Sequence, residues 1–183
     1  MGKETEVIST PPTERQVAYA NKLGIDLPRG VTFDEISDLI SFAVEEDIPA
    51  SDLHRSLAKS YGVTFTRYMG KGALFLRIRY IVSQPGRETD LCAWFVYRVY
   101  RCLTRGSDSA PVKSPNDPAI QAIASELAMD AKVLRSIRRY GREDSLIWFG
   151  TVHYRNGSYR DGASKDTIAF QHAAEVIRSR LRV

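Results

Sequence analysis

Two cysteines and three histidines are all that this chain of 183 residues offers in thiol and imidazole side chains. Cys92 and Cys102 fall in one stretch that reads as a single helix, where the rise of ten residues sets them about 15 Å apart. That separation excludes a bridge between them and points to a reducing compartment with buried, unpaired thiols. His54, His153 and His172 are spread over separate elements, and no histidine or cysteine pair has metal-ligand spacing, so neither a metal nor a cofactor is expected. No window approaches the roughly eighteen uninterrupted apolar residues of a membrane span. The opening residues MGKETEVISTPP also lack the apolar stretch of a secretory signal. The expectation is a cytoplasmic protein with no membrane partner. No internal repeat is visible, and Met69, Gly70, Lys71 and Gly72 lack the spacing of a phosphate loop, so they read as a hairpin turn.

What the chain has in quantity is arginine, unevenly placed. Residues 1–60 carry 6 basic and 11 acidic side chains, whereas residues 61–183 carry 20 basic and 11 acidic ones, 16 of the cations being arginine. The net charge of +4 therefore conceals an acidic start and a strongly basic remainder. Arginine's planar fork suits bidentate contact with phosphate or carboxylate better than lysine does. The apolar fraction of 43% and charged fraction of 26% are those of an ordinary globular protein.

Local signals predict a small acidic helical segment over residues 1–48 and an arginine-rich α+β domain over 49–183. Thr13 with Gln16, and Thr32 with Glu35, have the form of capping boxes, each followed by apolar residues at helical spacing. Gly24 supplies a stop, and a third helix begins near Ser51. From Gly62 the period changes to two, which predicts a hairpin whose second strand, residues 73–83, places Phe75, Arg77, Arg79 and Ile81 on one face. Residues 88–104 read as a central helix that is apolar over most of its circumference. A proline-rich loop precedes a long helix from about Pro118 to Tyr140. A strand over 145–154, a tight turn at Asn156 and Gly157, a short return strand and a helix from about Ser164 to Leu181 complete the order. The expected class is α+β and helix-rich, a small antiparallel sheet of three to four strands packed with three longer helices.

Two arrangements of cations are candidates for binding an anionic polymer. Arg98, Arg101 and Arg105 lie on one helical stripe, while Arg135, Arg138, Arg139 and Arg142 crowd the end of the next long helix. Cations in last turns also complement the helix dipole, so each stripe has a purely structural alternative. The second arrangement is the non-core sheet face, where Arg77 and Arg79 alternate beside Phe75 and where His153 and Arg155 align from the later strand. Interleaved aromatic and cationic side chains on an open sheet grip single-stranded nucleic acid; a helix laid over that face with acidic partners is the alternative. No catalytic residues stand out, although His153 with Asp161 has the chemistry of an acid/base pair.

Thr13, Gln16, Tyr19, Ala20, Leu23 and Gly24 form the pattern T-x-x-Q-x-x-Y-A-x-x-L-G. This resembles a short helical motif in accessory regions of bacterial and phage DNA-processing proteins, including topoisomerase III-like chains. The resemblance covers a dozen residues and implies a bacterial, phage or plasmid setting with DNA as partner. Together these observations favour a non-enzymatic accessory protein that binds nucleic acid or a nucleoprotein complex through Arg77, Arg79, Arg98, Arg101, Arg105, Arg135, Arg138, Arg139, Arg142 and Arg155. A protein-interaction module or inhibitor that docks on a host factor is the alternative, and a small enzyme acting on nucleic acid or nucleotides is the third. Oligomeric state is not encoded in any of these signals.

Overall fold

A computed structural model of the chain describes residues 10–141, 145–161 and 166–183. The expected class is what it has: eight helices among the described residues and one small antiparallel sheet of three strands. The helices are α1 (Glu14–Lys22), α2 (Phe33–Val44), α3 (Asp52–Ser60), α4 (Lys71–Val82), α5 (Glu88–Leu103), α6 (Pro118–Met129), α7 (Ala131–Ile137) and α8 (Ile168–Leu181). The strands are β1 (Tyr140–Gly141), β2 (Thr151–His153) and β3 (Tyr159–Asp161), in the order β1-β2-β3.

The capping boxes at Thr13 and Thr32 form as the residue spacing requires, each hydroxyl accepting from the N–H three residues on while that residue's side chain accepts from the cap N–H. α1 and α2 share a small apolar cluster built on Ala20, Val31 and Ile36. Asp38, buried on α2, accepts from Thr66 Oγ1 at 2.7 Å and pairs with Arg77 at 3.3 Å, tying this cluster to α4.

The hairpin expected over residues 62–83 does not form: residues 71–82 are the helix α4. Its buried residues Leu74, Phe75, Ile78 and Val82 recur at helical, not strand, spacing. The β-favouring composition is overridden by a cap supplied from a distance. Gly70, the N-cap residue, has no side chain to offer, and the carboxylate of Asp47 takes its place, accepting from Gly72 N–H at 2.9 Å and Ala73 N–H at 3.0 Å. The long helix expected over 118–140 is also interrupted. Asp130, with ψ 103°, ends α6, and its side chain accepts from the N–H groups of Lys132 and Val133 to start α7. Those bonds hold the Asp130 carboxyl below the usual carboxylate range. The position expected for the start of the last helix, Ser164, lies outside the described residues; α8 is capped by Thr167.

α5 is the central helix, buried from Leu91 through Arg101, and the main core gathers around it from α3, α4, α6, α7 and α8. Burial pushes the Cys92 thiol up to about 12, so it is inert as a nucleophile at neutral pH. Cys102 is half-buried near the end of the same helix, and both thiols are free. No described helix is long and apolar enough to cross a membrane.

A pH response follows from α3. Its capping box uses His54, whose Nδ1 accepts from Ser51 N–H at 3.1 Å while the ring packs edge-on to Phe75. Burial first, and the charge of Lys71 second, lower the His54 pKa below 6.5. The unfolded chain therefore takes up the proton more readily than the folded one, and stability contributed by neutral His54 is lost as the pH falls below 6.5 toward the folded value. Thermal unfolding at about pH 7.5 and about pH 5.5 is expected to show this loss in the wild type and not in His54→Gln, which keeps an acceptor that does not titrate.

Candidate nucleic-acid interface

β2 and β3 are joined by the loop Arg155, Asn156 and Gly157, in which Gly157 takes φ +80° and its N–H donates to Tyr154 O at 3.1 Å. A three-residue loop ending in a left-handed glycine fixes the strand register. Thr151 pairs with Asp161, Val152 with Arg160, and His153 with Tyr159. On the other side Tyr140 pairs with Val152 and Gly141 with Thr151, and His153 N–H donates to Arg139 O at 3.4 Å, which extends that register by one residue.

Directly paired residues of an antiparallel sheet share a face. Tyr140 and Val152 point into the core, where Tyr140 packs against Phe95 and Phe149. The adjacent row, Arg139–His153–Tyr159, therefore points away from it. His153 and Tyr159 are exposed, Tyr159 at 65%, and their ring centroids lie 6.1 Å apart; Arg139 is half-exposed. Arg155 is exposed in the loop beside this row, and exposed Arg135 lies one helical turn before Arg139. Arg160, in the inward row at the sheet edge, pairs with Asp166. Cation, imidazole and phenol thus stand side by side across β3, β2 and the residue that leads into β1, a surface able to combine phosphate contact with base stacking.

The structure sorts the other sequence candidates by what their guanidinium groups touch. Arg98 is wholly buried, lies 4.4 Å from the Phe149 ring centroid and 5.7 Å from that of Trp94, and donates to the carbonyls of Ser145 and Trp148. Arg101, also buried, donates to Gly106 O at 2.7 Å and Ser107 O at 3.1 Å and meets Asp108. Neither has surface to offer an outside phosphate. They face inward because α5 is buried around its circumference, so the stripe that reads as solvated is a set of internal staples on loop carbonyls. Arg79 donates to Ile137 O and Tyr140 O at the end of α7. The sheet face expected to carry Arg77 and Arg79 does not exist, since both are on α4, and the Arg77–Asp38 pair is the acidic contact that the structural alternative required. Arg138 pairs with Glu88 at 2.9 Å. Arg105 is exposed after α5, and Arg142 lies outside the described residues. The structure thus sets Arg139 beside His153 across the sheet, with Arg155 in the adjoining loop and Arg135 one helical turn earlier in the chain.

Tyr159 is the residue that sequence reasoning missed. Its signal was present in the turn, because counting back and forward from Asn156 and Gly157 sets it opposite His153. Among the described residues no histidine is hydrogen-bonded to a carboxylate, and Asp161 accepts from Thr151 Oγ1 at 2.5 Å instead of meeting His153. No group of three or more histidine, cysteine or acidic side chains with metal-binding geometry occurs among the described residues. In comparisons with protein-family models, curated proteins and solved structures, nothing matches this chain.

Proposed function

We propose that this chain is a nucleic-acid-binding accessory protein that holds single strands on the outer face of its small sheet. The observation that carries the reading is the exposed cross-strand row Arg139–His153–Tyr159, flanked by Arg135 and Arg155. Guanidinium groups there are placed to take phosphates, and the Tyr159 and His153 rings to stack on bases, a mode that tolerates any sequence. The bacterial, phage or plasmid setting implied by residues 13–24 is part of the same proposal.

Binding of labelled single- and double-stranded DNA and RNA tests it. Single strands are expected to bind more tightly than duplexes, and Tyr159→Ala to weaken single-strand binding by about 1–3 kcal/mol while leaving the unfolding midpoint unchanged. Equal affinity for duplex, or a Tyr159→Ala variant that binds like wild type, contradicts the stacking role.

Docking on a host protein is the second reading. In its favour is the outer face of α4, where Leu76 and Tyr80, 52% and 70% exposed, border a groove with Val63 and Ile81. Leu76→Ser combined with Tyr80→Ala separates the two readings, because it removes this apolar face and leaves the sheet row intact.

A further inference from the structure

α5 ends against the middle of α8, and the two leave between them a cleft of about 440 Å³, a size suited to a small organic ligand. Its walls combine two chemistries. Half-buried Cys102 and Leu103 give it a small apolar wall above the buried Phe170 and Ala174, while exposed Arg105, just after α5, and Arg178, on α8, line it on either side. Among the described residues neither arginine has an ion pair or a side-chain hydrogen bond, in contrast to Arg98 and Arg101 earlier on α5. Arg105 is also held in place. It adopts φ +53°, a conformation that favours glycine, and Arg101 bonds the carbonyls of Gly106 and Ser107 that follow it. A chain selected only to end α5 has glycine as the unstrained choice at this position.

From these observations we infer that the α5–α8 cleft binds a phosphate monoester carried on a planar, apolar body, the chemistry shared by a nucleoside monophosphate and by the phosphorylated end of a strand. Two guanidinium groups match a doubly charged phosphate. Half-buried Leu103 and Cys102 give a ring one apolar wall, so neither half of such a ligand is expected to bind well alone. This site is separate from the sheet row and its test does not depend on that surface.

Cys102 reports on the cleft from within, because Cys92 is buried and unreactive. The rate at which a maleimide labels Cys102 in the full chain, read by mass, is measured with adenosine 5′-monophosphate, adenosine, inorganic phosphate, and a short single strand with or without a 5′-phosphate. Adenosine 5′-monophosphate is expected to slow labelling at concentrations up to about 1 mM where adenosine and inorganic phosphate do not. Protection only by the 5′-phosphorylated strand assigns the same chemistry to a strand end. Arg105→Gly, which relieves the left-handed residue and keeps the fold, and Arg178→Gln are each expected to raise the half-protecting concentration about tenfold or more. Tyr159→Ala is expected to leave the half-protecting concentration of adenosine 5′-monophosphate unchanged. The assignment is overturned if no phosphorylated probe protects Cys102, if inorganic phosphate protects as well as the nucleotide, or if both arginine variants protect like wild type.

Discussion

Replacing Arg98 with alanine is expected to destabilise the protein by about 3–5 kcal/mol, the largest effect of any single arginine substitution. The guanidinium is wholly buried, lies near the ring faces of Phe149 and Trp94, and donates to the carbonyls of Ser145 and Trp148. Truncation removes the stem and head of a large side chain from a packed core and leaves those carbonyls without this donor. Arg98→Met separates the two contributions. It refills most of the volume but supplies no donor, so about 1–3 kcal/mol of the loss should remain. Urea unfolding measures both variants, with the midpoint expected to move at constant slope. An Arg98→Ala variant as stable as wild type would show that the loop over residues 145–149 does not depend on this side chain. Nucleic-acid binding by the folded fraction is expected to be unchanged, since Arg98 does not reach the surface.

Gly70→Ala is the second large effect, expected at about 2–3 kcal/mol. A methyl group at this position would sit 2.2 Å from Asp47 Oδ2 and 2.8 Å from Asp47 Cβ, so the carboxylate must leave the N-terminus of α4. The variant thereby loses the two bonds to Gly72 and Ala73 N–H together with the favourable placement of a negative charge at a helix start. Asp47→Gly, which also removes the Cβ that a methyl at residue 70 would meet, should lose the same bonds without the clash. In that background Gly70→Ala should cost much less than it does alone, a non-additivity that a double-mutant cycle reads directly. Additive effects would mean that Gly70 is required for a reason unrelated to Asp47.

The same two sites show where the sequence is legible and where it is not. The caps at Thr13, Thr32 and Ser51, the stop at Gly24 and the turn at Asn156 and Gly157 are local devices, each complete within a few residues, and each forms where its spacing places it. α4 is different, because its cap comes from Asp47, 25 residues before Gly72, and no window centred on residues 71–82 contains it. The period-two pattern there arises from Arg77 and Arg79 being polar on a helix whose two sides meet different neighbours, Asp38 on one and the end of α7 on the other. The break at Asp130 was hidden because the apolar spacing on either side suits one continuous helix.

The candidate site was legible in kind more than in place. An aromatic and cationic row does lie on the sheet; Arg139 and Arg155 are among the residues the sequence points to for binding, and His153 is one it places on the sheet face. They lie with Tyr159 on and beside the small sheet, not with Arg77 and Arg79. Arginine content overstated the surface charge, since guanidinium groups serve here as internal donors to carbonyls at helix ends and in loops, where their several N–H groups satisfy more than one acceptor at once. Composition counts such residues together with exposed ones; only the fold separates them.

The salt dependence of single-strand binding tests the sheet face most directly. For the wild type, the logarithm of affinity is expected to fall linearly with the logarithm of salt concentration. Arg139→Gln and Arg155→Gln are each expected to make that slope shallower by about one phosphate contact, and the double variant by about two, with thermal stability unchanged. With a strand that carries no terminal phosphate, Arg105→Gly is expected to leave the slope unaltered. A slope that is absent in the wild type, or that responds to Arg105 and not to Arg139 and Arg155, would contradict the assignment of nucleic-acid binding to this face.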